Sequence, residues 1–167
     1  MAVLPIRRFP DPLLKQPTRP VDRVDDRTLA LIDAMVRTMR HHPRCVGLAA
    51  PQVGSDLRIA VLDASGHPKA AVSHGLLVLV NPKILESGGR ILQREGCLSI
   101  PDFTGNVPRA SRIRLAARDR DGNAMELELE GFEAVVAQHE VDHLDGRLFL
   151  DRVANLATDL FRRKRYG

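Results

Sequence analysis

The sequence predicts an α+β fold on three observations. Short apolar runs bounded by Gly, Pro, Asp and Asn read as strands, a central stretch with helical spacing follows them, and a further helical stretch lies at each end of the order. Pro5, Pro10, Pro12, Pro17 and Pro20 punctuate residues 1–20, so this segment is expected to be an extended arm that wraps the domain. From Asp25 to His41, Leu29, Ile32, Met35, Val36 and Met39 recur at three- and four-residue steps behind two acidic residues and ahead of Pro43, which predicts the first helix. Leu57 to Leu62 and Leu76 to Val80 are strands by their flanks. Ile113 to Ala117 and Met125 to Leu129 flank the turn sequence DRDGN, and Met125, Leu127 and Leu129 alternate with glutamates, which predicts a hairpin with one wet face. Gly131 ends that strand. Phe132, Val135, Val136, His139 and His143 then share one helical stripe. A last helix is expected from about Arg152, holding Leu156, Leu160 and Phe161.

A chain of 167 residues and 18.5 kDa fits one domain, 1–167, with 1–20 as the arm and 152–167 as a C-terminal helix with a basic tail. The longest apolar run, Leu76 to Val80, is far short of the ~20 residues a spanning helix needs, and MAVLPIRRFPDP has no signal-peptide core, so a cytoplasmic protein without a membrane partner is expected. Aromatics are 4% with no Trp, which argues against a stacking platform for single-stranded nucleic acid and against sequence-specific reading of bases. The net charge of +4 is local: Arg162, Arg163, Lys164 and Arg165 are consecutive, and without them acids and bases balance. Such a run either meets something anionic or is solvated surface.

His139-Glu140-Val141-Asp142-His143 matches HExxH. On a helix the two imidazoles at i and i+4 lie on one face and can share a metal, while the adjacent Glu140 can reach a water beside it. A catalytic site of this kind needs a third ligand, and the residues after His143 hold no His and no Glu. Upstream, Cys97 stands in EGCLSIP, where a thiolate would complete a Cys-His-His set; a lone Cys is otherwise a small buried hydrophobe.

Three segments together resemble the peptide deformylase family: CVGLAAPQ at Cys45 to Gln52, EGCLS at Glu95 to Ser99 and QHEVDH at Gln138 to His143. RRFPDPLL, VNP, VPRA and RDRDG extend the likeness over most of the chain. The resemblance implies antiparallel sheets around the HExxH helix and an enzyme that removes the formyl group from N-formylmethionine of nascent polypeptides, releasing formate. It implies that Cys97, His139 and His143 hold one divalent metal per chain, Fe(II) in the native state, with Zn, Ni or Co able to take its place. Glu140 would move the proton, the Gln52 amide and the Leu98 backbone N–H would face the developing oxyanion, and Gly47 would let the substrate backbone pair with a strand edge. Val46, Phe132, Val135 and Val136 would form the methionine slot. Glu95 and Arg109 form either an ion pair that fixes the Cys97 loop or two solvated charges. The family's first motif usually begins with Gly, whereas this chain has Cys45. A ribosome contact through Arg162, Arg163, Lys164 and Arg165 is a further expectation. Two other readings of the motif stand beside this one: a zinc peptidase using HEVDH, and a ribosome-binding metal module without activity.

Overall fold

The computed structural model describes residues 3–164. Its elements run α1 (Asp26–His41), β1 (Gly47–Ala49), β2 (Ile59–Asp63), β3 (Leu76–Gly88), β4 (Ile91–Cys97), β5 (Ile100–Arg109), β6 (Arg112–Arg118), β7 (Ala124–Glu130), α2 (Gly131–Leu144) and β8 (Leu160–Arg162). Five strands form an antiparallel sheet in the order β1-β2-β3-β6-β7, and three form a second in the order β4-β5-β8. The α+β class expected from the sequence is the one observed.

Helix α1 starts where Asp25 caps it, its carboxylate accepting from the Thr28 N–H at 2.9 Å, and buries Ile32, Met35 and Met39 against β1 and β2. The predicted hairpin is β6 and β7, with Leu115 opposite Leu127 and Ile113 opposite Leu129, and its inner face meets α2 through Val136, Ala137 and Val141. Gly131, at φ 62°, turns the chain from β7 into α2, a left-handed angle that a side chain would oppose. Helix α2 is buried on nearly every side, so its histidines sit inside the molecule. The N-terminal segment lies against other elements: Arg7 N–H donates to the Gln52 carbonyl, Phe9 N–H to that of Ser99 and Thr18 N–H to that of Leu144, with a 3₁₀ turn at Pro12–Lys15.

The expected C-terminal helix is not formed. Asn155 folds the chain back on itself: its side-chain oxygen accepts from Ala157 N–H at 2.9 Å and its carbonyl from Asp159 N–H at 2.8 Å. Leu156, assigned to the helix stripe, is 61% exposed. Leu160 and Phe161 instead belong to β8, paired with Gly105 and Thr104 of β5. The basic run therefore starts on a strand, and Arg165 lies outside the described residues.

Candidate metal centre and cleft

The last residue of β4 and one face of α2 meet in the interior. Cys97 Sγ, a His139 ring nitrogen and a His143 ring nitrogen lie within 4.8 Å of one another, with Cys97 Sγ 3.3 Å from His143 Nε2. One thiol and two imidazoles, converging where water is largely excluded, are a donor set that suits a divalent transition metal. The surroundings orient the His139 ring for ligation, since its Nδ1 lies 2.7 Å from Glu95 Oε1, which leaves Nε2 to face the cluster.

Glu95 is fixed in turn. Arg109 donates to both its oxygens, from Nε at 2.7 Å and Nη2 at 2.9 Å, and from Nη1 to Asp142 at 2.5 Å. Arg152 closes the chain with two further bonds to Asp142, at 2.9 and 3.1 Å. The Glu95–Arg109 alternative thus resolves as a buried ion pair. Burial alone would raise the Glu95 carboxyl, but donation from Arg109 and His139 outweighs it and holds the group at about 2. Asp142 and Arg152 were not among the residues singled out from the sequence. Asp142 occupies a variable position of HExxH, and only the fold brings Arg152 to it.

Glu140 lies on the same helix in a different setting. Its Oε1 is buried without a hydrogen-bond partner among the described residues, and burial pushes its carboxyl up to about 7 against the attraction of His139. A cation on the neighbouring ligands would add to that downward pull. Gly47 of β1 packs against it: a methyl group there would come within 2.5 Å of Glu140 Oε2.

A cleft of about 670 Å³ opens onto this cluster. Cys97, His139 and Glu140 line it together with Gln52, Leu98, Val46, Gly47, Phe132, Val135 and Val136, so the candidate proton-transfer, oxyanion and methionine-slot residues border one cavity with two of the three candidate ligands, the buried His143 lying behind it. Gln52 is buried, with Nε2 3.4 Å from Cys97 Sγ and 3.2 Å from Ser99 Oγ, while its oxygen accepts from the Ala49 N–H. Cys45 is also on the wall. Its thiol donates to the Gly47 carbonyl at 3.2 Å, and burial raises it to about 12, so it stays protonated at neutral pH. His67 stacks on Phe132 at 4.3 Å, and His74 Nδ1 meets the buried Glu133 at 2.6 Å.

A family model described as polypeptide deformylase matches residues 3–159. A peptide deformylase of Syntrophobacter fumaroxidans is 43% identical over 98% of this chain and 94% of its own length. Among solved structures, a peptide deformylase from Thermotoga maritima superposes with a TM-score of 0.85 at 38% identity, covering 93% of this chain and 100% of that one. A Met-Ala-Ser-bound class I type b peptide deformylase from Acinetobacter baumannii gives a TM-score of 0.85 at 36% identity, over 91% of this chain and 99% of that one.

Proposed function

The chain belongs to the polypeptide deformylase family, and from that premise we propose how its residues divide the work. It is a hydrolase that removes the formyl group from the N-terminus of nascent polypeptides. With the family established, the zinc peptidase and the non-catalytic module fall away. The convergence of Cys97, His139 and His143 beside Glu140 in one cleft supports the assignment of roles.

Cys97, His139 and His143 would hold the metal, which when bound supplies a Lewis acid that polarises the formyl carbonyl and acidifies water. Glu140 takes the proton from the attacking water and returns it to the amine nitrogen as the carbon–nitrogen bond breaks, because an amide nitrogen leaves only when protonated. Its unpartnered Oε1 and the side-chain-free Gly47 leave it access to that space. Gln52 Nε2 and the Leu98 backbone N–H stabilise the oxyanion that develops on the formyl oxygen. Val135 and Val136, four and three residues before His139, form with Phe132 and Val46 the slot for the methionine side chain. Strands β1 and β4 are edge strands among the described residues, and both border the cleft, so an extended peptide can add its backbone to them.

The decisive measurement is formate release from formyl-Met-Ala-Ser by wild type and Glu140→Gln. The variant is expected to keep its metal and lose ~10² or more in rate, as loss of a general acid-base group does; loss of metal instead would remove the role given to Glu140. Within the same reading, 1–167 acts as one cytoplasmic domain, and Fe(II) is its native ion. Metal analysis of anaerobically purified protein tests the ion, with zinc, nickel or cobalt as the results that count against it. Ribosome association through Arg162, Arg163, Lys164 and Arg165 is tested by pelleting across a salt series.

A further inference from the structure

We propose that the outer part of the cleft is a cationic rim that favours formylated peptides with acidic side chains at their third and fourth residues. The inference rests on the deformylase reading and adds a substrate class to it. Six basic residues line the cleft: Arg44, Lys69, Arg94, Arg162, Arg163 and Lys164. Its acids, among the described residues, are Glu95 and Glu140 alone. Both are withdrawn from the surface, Glu95 against Arg109 and His139, Glu140 at the metal end. All six cations are exposed, and none lies within ion-pair distance of a carboxylate among the described residues. A cleft walled by charge of one sign concentrates field and raises the local concentration of the opposite charge.

The fold holds several of these groups in place. Pairing of β8 with β5 carries the basic run to the cleft, and Arg163 N–H donates to the Asp102 carbonyl at 2.7 Å. Gly96 is the residue before Cys97, and a methyl there would run into the Arg163 guanidinium, so that guanidinium lies over β4 beside the ligand. Arg94 stacks on Phe161 with its guanidinium carbon 3.7 Å from the ring centroid, and its Nε donates to Thr104 Oγ1 at 3.2 Å. At ~3.3 Å per extended residue, Arg94 stands ~10 Å along β4 from Cys97. A substrate lying extended with its formyl group at the metal end reaches the same distance at its third and fourth residues.

The test compares kcat/KM for formyl-Met-Ala-Glu-Glu, formyl-Met-Ala-Ser-Ser and formyl-Met-Ala-Lys-Lys with the metal-loaded enzyme. At low ionic strength the Glu-Glu peptide is expected to exceed the Lys-Lys peptide by about tenfold, carried by KM because these contacts act alike on ground and transition states. The ratio should fall below about threefold in 1 M salt, where screening acts within ~3 Å. The double variant Arg163→Gln/Lys164→Gln should narrow it similarly, and the salt series on wild type decides the matter even if that variant folds poorly. Equal rates, a preference for Lys-Lys, or a ratio insensitive to salt would overturn the proposal. So would inhibition by an RNA homopolymer without any peptide charge preference, which would make the rim a nucleic-acid surface. Formate release from the Ser-Ser peptide separates the two levels: release without charge preference sinks the rim alone, and no release from any peptide sinks the deformylase reading with it.

Discussion

Replacing Arg109 with Met tests whether the ion-pair chain behind His139 carries both stability and geometry. The guanidinium and its partners are nearly inaccessible, with side chains 3%, 5% and 8% exposed for Arg109, Glu95 and Asp142. Methionine fills much of the volume but donates nothing, so the buried Glu95 loses both guanidinium bonds and Asp142 keeps only those from Arg152. Breaking a buried pair by removing one partner costs ~3–5 kcal/mol. An independent figure comes from Glu95: a carboxyl held at about 2 instead of 4.5 corresponds to about 3 kcal/mol of differential stabilisation, of which His139 supplies a part. Because that value is depressed by folding, the contribution is complete above 4.5 and is withdrawn as pH falls towards 2. Urea and thermal unfolding are therefore run at pH 7.5. A loss of ~3 kcal/mol lowers Tm by roughly 6–12 °C for a chain of this size. Chelated and metal-loaded samples are compared, since a bound ion stabilises both proteins by mass action. The double variant Glu95→Met/Arg109→Met should be more stable than Arg109→Met, having one fewer orphaned charge. A Tm change under about 2 °C for Arg109→Met would refute the reasoning and mean that the two carboxylates find other partners.

Three further substitutions probe the cleft. Cys97→Ser should weaken metal binding by more than the ~10–100-fold typical of losing a residue that only orients a ligand, since a neutral hydroxyl replaces a thiolate; chelator competition reads it, and equal affinity would exclude Cys97 as a ligand. Gly47→Ala places a methyl group 2.5 Å from Glu140 Oε2, so the carboxylate must move. Rate should fall ~10² with metal content and Tm unchanged, and an unaltered rate would show that Glu140 has room to spare. Cys45→Gly removes the thiol that donates to the Gly47 carbonyl, and one such bond of ~1 kcal/mol predicts a several-fold change in KM for formylated peptides with a smaller change in kcat. A change confined to kcat would place Cys45 in the chemistry.

What the sequence disclosed and what it hid follow one division. Helices α1 and α2 and the β6–β7 hairpin are built by neighbours in the chain, so apolar spacing, caps and turn residues mark them. Strand β4 reverses the usual alternation: Leu92 is 62% exposed while Glu95 is buried, because its inner face packs against His139 and Arg109 beside the Cys-His-His cluster. A pattern search for apolar residues facing inward therefore passes over it. Strand β8 was hidden differently, since Leu156, Leu160 and Phe161 have helical spacing and only the Asn155 turn and the free edge of β5 decide otherwise. The two histidines and Glu140 were legible because four-residue spacing on a helix is itself geometry. Cys97 was legible as a candidate third donor because the residues after His143 hold no His and no Glu, and family likeness added to that reading; Arg152 was marked by neither.

The two glutamates beside His139 show how one residue type takes two opposed roles. Glu95 accepts two bonds from the Arg109 guanidinium and one from His139 Nδ1–H, so its charge is held and its oxygens have no freedom to trade protons. It can orient and nothing more. Glu140 is the next residue after His139, yet its Oε1 has no donor among the described residues, and burial pushes its carboxyl up to about 7. Groups whose environments drive them apart in this way are those an enzyme can assign separately to holding and to transferring a proton. Exchanging the roles would require moving Arg109, which Asp142 and Arg152 anchor from the far side. The charge chain that reaches from β5 to the segment after α2 is thus what keeps Glu95 ionised and leaves Glu140 as the carboxyl free to titrate.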